Sequence, residues 1–201
     1  MMKLMGAIPS PFVRKVRVLI HETGQGDDVE VIFMAPTPVS PDEQAIAANP
    51  TGKIPSLVRD DGPALYDSRV ITRYLDARAK AGMYPDARLW ETLTLEATAD
   101  AIMDAGVLMV YEHRVRPEEK VFAPWVEAQW GKIERAVAAI NERWMSHLHG
   151  PMDMSHIAVG CALGYLDFRQ PGRDWRVDAP ALAAWFAEFE ARDSMQATKP
   201  E

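Results

Sequence analysis

The order of apolar and polar residues predicts that the first 80 residues alternate between short strands and helices. Four short apolar runs bounded by turn residues are typical of strands: 3–7, 29–34, 56–59 and 64–66. Helical spacing begins after Ser10-Pro11, a capping residue followed by the residue best tolerated at the first helical position. Since a short helical piece at 42–48 and a longer one after Ser68 follow, the predicted order is βαβαββα.

The pattern changes near Ala81, because no strand-like run follows and apolar residues recur at helical steps. Four helical segments are predicted in this second half: 86–116, 117–147, one capped by Asp153, and 180–192. The polar end at 196–201 is expected to be loose. The sequence therefore predicts an α/β domain over residues 1–80 and an all-helical domain over residues 86–201.

Composition and charge exclude several classes of protein. The 201 residues carry a formal net charge of -7, with 10 basic and 10 acidic side chains in residues 1–80 against 12 and 19 in residues 81–201. A basic surface for nucleic acid is not expected from this balance. The single cysteine, Cys161, forms no internal disulfide and is expected to be buried on the apolar face of a helix. With no apolar run of membrane-spanning length and no signal-peptide pattern, we expect a cytoplasmic protein.

Two adjacent motifs predict a surface that binds an extended, carboxylate-bearing peptide. Asp67-Ser68 stands where a strand gives way to helical spacing, and the unpaired amides of a helix N-terminus favour an anion. Just before it, Ile54-Pro55 leads into a strand, where Pro is tolerated at the first position. If that bond is cis, the amide and carbonyl of Ile54 should face out of the sheet.

The histidines show no paired spacing with acids or cysteine, so no metal site is assigned from the sequence. His147 and His149 lie two residues apart at a helix end and are interpreted as a positive C-terminal turn. Beyond them, Asp153 can cap a helix whose staple positions are Met152 and Ile157.

Three motifs in this order make the chain resemble the cytosolic glutathione S-transferase family over essentially its whole length. They are S-P-F-V-R-K-V at 10–16, N-P-T-G-K-I-P at 49–55 and Y-D-S at 66–68, followed by the capped helix from Asp153. The segments A-D-A-I-M-D-A-G at 99–106 and G-Y-L-D-F-R at 164–169 look like those of a YibF-like bacterial subgroup. The resemblance implies an α/β thioredoxin-like N-terminal domain that binds glutathione and an all-α C-terminal domain that supplies the electrophile site.

The same resemblance implies a role for individual residues. Ser10 matches the position that faces the glutathione sulfur, although it could be a plain helix cap, and Phe12 lies beside it. Ile54, before the expected cis-Pro55, matches the residue whose backbone pairs with the cysteinyl part. Three further positions complete the implied glutathione site: Asp67 and Ser68 at the γ-glutamyl end, and Lys53 at the glycyl carboxylate.

The family pattern also implies an electrophile site, a partner and an activity. The electrophile would bind near a set of residues on the first long helix: Gly106, Val110, Tyr111 and Arg114. The expected protein is a homodimeric, detoxifying glutathione transferase that conjugates glutathione, its co-substrate, to a small apolar electrophile. Two alternatives stay open: a non-catalytic module that works through protein contacts, and a glutathione-dependent peroxidase, isomerase or dehalogenase.

Two positions depart from the family pattern. Asp153 and His156 stand where the capping motif of the helix usually has Ser or Thr and then Asp, and His156 cannot imitate a carboxylate. Whether the reciprocal half of that capping box forms is therefore an open question. No Cys stands near residue 10, which argues against the branches that form a mixed disulfide with glutathione.

Overall fold

The computed structural model describes residues 1–200 and divides into two compact units. Residues 1–84 together with the segment from residue 193 form the first unit, and residues 85–192 form the second. Residue 201 lies outside the described part of the chain. The first unit holds all the β-structure among the described residues, as the alternating pattern of its sequence predicts.

A three-stranded mixed sheet forms the centre of the first unit. Strand β1 (Met2–Gly6) runs parallel to β2 (Val29–Phe33) and antiparallel to β3 (Ser56–Val58), which gives the order β2-β1-β3. The expected last strand at 64–66 is reduced to one antiparallel bridge, in which Leu57 and Leu65 exchange both backbone hydrogen bonds at 2.9 Å.

Three helices flank this sheet in chain order: α1 (Pro11–Glu22), α2 (Glu43–Ala48) and α3 (Ser68–Ala79). Helix α1 buries Val13 and Val16 because apolar residues recur on one of its faces. Its first turn lies close to the end of β1: a Cβ added to Gly6 would come within 2.6 Å of the Val13 side chain. Gly6 therefore permits the tight passage from β1 into α1.

The second unit contains five α-helices among its described residues: α4 (Leu89–Val115), α5 (Ala123–Arg143), α6 (Met145–Leu148), α7 (Met154–Arg169) and α8 (Pro180–Glu190). Helix α7 is buried from Met154 to Leu166 and packs most extensively against α4, so it forms the core of this unit. Cys161 is fully buried there, which confirms its predicted packing role. Over residues 1–200 no helix combines the length and apolarity needed to cross a membrane.

The prediction of a loose C-terminal end is wrong for the described residues. The chain forms a further helix, α9 (Asp193–Ala197), in which Met195 is fully buried, and Thr198 after it is buried too. The buried Arg14 of α1 donates a hydrogen bond to the Met195 carbonyl oxygen at 2.9 Å. Ser194 donates another, at 2.5 Å, to Glu22. These long-range contacts with α1 hold α9 in place, although the polar composition of the chain end predicts that it is loose.

We expect Met195→Ala to lower the free energy of unfolding by about 2–4 kcal/mol, because it removes a fully buried side chain. Gln196→Ala, at an exposed position of the same helix, is the matched control and should change stability by less than about 0.5 kcal/mol. Urea denaturation followed by circular dichroism measures both. Equal, small effects of the two substitutions would show that α9 does not pack on α1.

Candidate functional site

Ser10 lies at the junction between β1 and α1. It is the N-cap of α1, where its hydroxyl oxygen accepts a hydrogen bond from the Val13 amide at 3.3 Å and Pro11 occupies the first helical turn. The residue is half-buried, as is Phe12 after it. Because the oxygen accepts the capping bond, the hydroxyl hydrogen is free to point at a second acceptor.

Ile54-Pro55 lies at the start of β3. The bond is cis, as the family resemblance implies, and pairing of β3 with β1 begins one residue later, at Ser56. The backbone groups of Ile54 thus lie ahead of the ladder. Pro55 is buried, Ile54 is half-buried and Lys53 is exposed, with its carbonyl oxygen held by the Asn49 side chain at 2.9 Å.

Asp67 and Ser68 form the N-terminus of α3. The Asp67 carboxylate accepts the Arg69 amide at 3.0 Å and the Arg69 guanidinium at 3.1 Å. Partial burial opposes ionisation of Asp67, but the hydrogen bond and charge of Arg69, with the charge of Lys15, hold its pKa below the usual value. Asp67 is therefore an anion at neutral pH, next to the buried Ser68.

The sheet register brings these three elements to one end of the first unit. Ser56 pairs with Met5, so β3 begins where β1 ends and the chain turns toward Ser10. The Leu57–Leu65 bridge runs antiparallel, so the chain after Leu65 returns toward the same end and reaches Asp67. The result is an edge with two helix N-termini, a cis-proline and one carboxylate, which suits an extended ligand that carries both an anionic and a cationic group.

The residues predicted for an electrophile site lie along α4 in the second unit. Gly106 is buried, and a Cβ added there would lie 3.1 Å from the Tyr165 ring, so this glycine lets α7 pack closely on α4. Val110 and Tyr111 are half-buried and Arg114 is exposed. Burial raises the pKa of Tyr165 to about 12 although a hydrogen bond with Arg169 opposes the shift, so that phenol is neutral at physiological pH.

The capping box of α7 is complete. The Asp153 carboxylate accepts the Ser155 amide at 3.0 Å, and His156 Nδ1 accepts the Asp153 amide at 3.2 Å. An imidazole nitrogen with a free lone pair can thus take the place of the usual carboxylate. This answers the question that the sequence leaves open at His156.

Asp153 is also the centre of a buried polar network that the sequence does not predict. Thr92 donates to its Oδ2 at 3.0 Å, His147 Nε2 lies 2.9 Å from the same oxygen, and His156 Nδ1 lies 3.0 Å from Oδ1. Burial of Asp153 opposes ionisation, but the hydrogen-bond contacts with His156 and Ser155 and the charge of both histidines hold its pKa well below the usual range. From the sequence, His147 is interpreted as part of a positive C-terminal turn. In the structure its imidazole also contacts the Asp153 carboxylate, which that interpretation does not include.

Known proteins resemble this chain in sequence and in fold. Residues 9–78 match the family model described as glutathione S-transferase, N-terminal domain, and residues 123–188 match glutathione S-transferase, C-terminal domain. The GST-like protein YibF of Escherichia coli strain K12 is 34% identical over 205 residues, which cover 99% of this chain and 98% of that protein.

Solved structures agree over the full length of both chains. A glutathione transferase family member from Pseudomonas fluorescens Pf-5, with bound glutathione, is 46% identical with a TM-score of 0.97, covering 100% of each chain. A structure from the same organism with bound S-(propanoic acid)-glutathione is 45% identical with a TM-score of 0.92 and the same coverage. The two family models and these relatives together show that the chain belongs to the glutathione S-transferase family, close to the bacterial protein YibF.

Proposed function

We propose that the protein is a glutathione transferase of the serine type, in which the first unit binds glutathione and Ser10 activates its thiol. The observation that carries this proposal is the convergence of Ser10, Ile54-Pro55 and Asp67-Ser68 at one end of the sheet. Glutathione is an extended tripeptide with two carboxylates and one ammonium group, which these elements complement. The glutathione bound to the 46% identical relative supports the same ligand here.

Each part of the tripeptide has a proposed partner. The backbone of Ile54 pairs with the cysteinyl residue, because it lies ahead of the β3 ladder. The α-carboxylate of the γ-glutamyl end binds at the N-terminus of α3 by Ser68, while the α-ammonium pairs with Asp67. Lys53 is exposed and able to reach the glycyl carboxylate.

Ser10 acts on the protonation of the thiol. A free thiol has a pKa of about 8.5, so only a small fraction is thiolate at neutral pH. A hydroxyl hydrogen and the positive end of α1 both favour the anion over the thiol. The thiol proton leaves to solvent and the thiolate sulfur attacks an electrophilic carbon. With an aryl halide, the carbon–sulfur bond forms, the carbon–halogen bond breaks, and halide leaves to solvent with the bonding electron pair.

We infer that the protein catalyses conjugation and not thiol–disulfide exchange. We also propose that it does so in the cytoplasm, in a detoxifying role. No Cys stands beside Ser10 to form a mixed disulfide. The S-(propanoic acid)-glutathione bound to the 45% identical relative is a thioether, the kind of product that conjugation gives. We place the second substrate, a small apolar electrophile, along α4 at Val110, Tyr111 and Arg114, with Gly106 beneath them in contact with Tyr165.

We expect Ser10→Ala to lower kcat/KM for conjugation by about ten-fold or more, since it removes one donor that stabilises developing negative charge. Glutathione affinity should change little, because in this proposal Ser10 acts on the sulfur alone and the other groups of the tripeptide bind elsewhere. The initial rate with a chromogenic aryl halide gives the first quantity and calorimetric titration the second.

Ser10→Thr is the matched control, since it keeps both the hydroxyl and the N-cap. Its rate should stay close to that of the wild type, whereas unchanged turnover in Ser10→Ala would remove Ser10 from the mechanism.

We expect Asp67→Asn to weaken glutathione binding by about ten-fold, because a charge-assisted contact to the α-ammonium is lost. Ser68→Ala should weaken it as well. Calorimetric titration of glutathione into the wild type and both variants measures the effect.

A glutathione analogue that lacks the α-amino group supplies the control for Asp67. The wild type and Asp67→Asn should bind this analogue with similar affinity. If the wild type gives no binding heat with glutathione at all, the protein is a non-catalytic module of the family instead.

We also propose a homodimer, as the family resemblance implies. Large apolar side chains exposed in a single chain support this, and Trp90 is the most exposed of them at 76%. Light scattering after size-exclusion chromatography should give twice the mass of one chain, and a monomer at micromolar concentration would contradict the proposal.

A further inference from the structure

Three metal-ligating side chains converge in the second unit, in the network around Asp153. Ligand atoms of His147, Asp153 and His156 all lie within 4.8 Å of one another. The closest pairs are His147 Nε2 to Asp153 Oδ2 at 2.9 Å and His156 Nδ1 to Asp153 Oδ1 at 3.0 Å. Two ligands at about 2.0 Å from a tetrahedral Zn²⁺ are roughly 3.3 Å apart, so these two separations need little adjustment around an ion. The two histidine nitrogens lie within 4.8 Å of each other and would close to roughly 3.3 Å when the ion binds.

His156 Nδ1 faces two groups with opposite requirements. The Asp153 amide at 3.2 Å requires a lone pair on Nδ1, whereas the Asp153 carboxylate at 3.0 Å requires a hydrogen. A neutral imidazole nitrogen offers one or the other. Hydrogen bonding within the protein therefore leaves one of these contacts unfavourable. A cation between Nδ1 and Oδ1 would turn the shorter contact into an attraction, although it would take the Nδ1 lone pair from the Asp153 amide.

We propose that His147, Asp153 and His156 bind one Zn²⁺ ion that ties α6 to the N-terminus of α7. Two imidazoles and a carboxylate are a donor set that zinc accepts, with the fourth position left to solvent or a hydroxyl. Ser155 Oγ, 3.1 Å from His147 Nε2, is the hydroxyl beside this set. His147 is the least buried of the three ligands and gives the ion its way in.

Two features of the surroundings limit the affinity. The Arg88 guanidinium lies 3.4 Å from Asp153 Oδ2 and competes with the ion for that oxygen. His156 Nε2 is buried and has no hydrogen-bond partner in the described part of the chain. Metal-bound imidazoles usually donate their second N–H, and losing such a contact costs about 10–100-fold in affinity. We therefore expect zinc to bind more weakly than at a structural site with a complete second shell.

The test is a titration of the full-length, chelator-treated protein with Zn²⁺ and, separately, with Co²⁺ in the absence of glutathione. The wild type should bind one ion per chain, raise its Tm with Zn²⁺ and show the visible absorption of tetrahedral Co²⁺. His147→Gln should raise the Kd for Zn²⁺ by at least about ten-fold.

Two further variants are controls. The first tests whether the loss of any nearby histidine weakens zinc binding, and the second tests whether zinc binding can be lost while the helix cap is kept. His149→Gln, an exposed position two residues away, should bind Zn²⁺ as the wild type does. In His156→Asn the amide oxygen can still cap the Asp153 N–H, so the chelated protein should still fold, with a lower Tm because the buried imidazole is lost, and the rise of Tm with Zn²⁺ should be absent. No Zn²⁺ binding by the wild type, or equal losses in His147→Gln and His149→Gln, would overturn the proposal. Glutathione binding, measured in parallel, tests the first unit independently.

Discussion

The structure depends on how it satisfies the unpaired amides at the N-termini of its helices. Ser10 caps α1, Asp67 caps α3 and Asp153 caps α7, each through a side-chain oxygen. In the first unit two of these ends lie at one edge of the sheet beside cis-Pro55. Because the amides there are oriented before any ligand arrives, the same groups that begin the helices form the proposed glutathione site.

The third cap is a different solution to the same constraint. Asp153 is fully buried, and its cost of desolvation is offset by hydrogen bonds from Thr92 and Ser155 and by the contact with His147. These contacts come from three separate segments of the chain, so this end of α7 is positioned by residues far from it in sequence. His147 and His156 place imidazole nitrogens beside the Asp153 carboxylate. These nitrogens and the carboxylate are the ligands of the proposed zinc site.

Most of the fold was predictable because its elements have strong local signals. Ser10-Pro11 and Asp67-Ser68 begin helices where the sequence predicts them, and the cis bond at Pro55 agrees with what the family resemblance implies. Family membership, expected from three short motifs, is confirmed by the comparisons. The roles of the individual site residues stay predictions, since they depend on a ligand.

The sequence by itself determined the first three strands, the main helices, their caps at Ser10, Asp67 and Asp153, and the burial of Cys161, because each depends on residues a few positions apart. Only the tertiary structure decided the rest. The last helix orders because Arg14, some 180 residues away, binds the Met195 carbonyl. His147 meets Asp153 because a turn between two helices brings them together. Contacts of this kind leave no periodic signal along the chain, so a local pattern cannot report them.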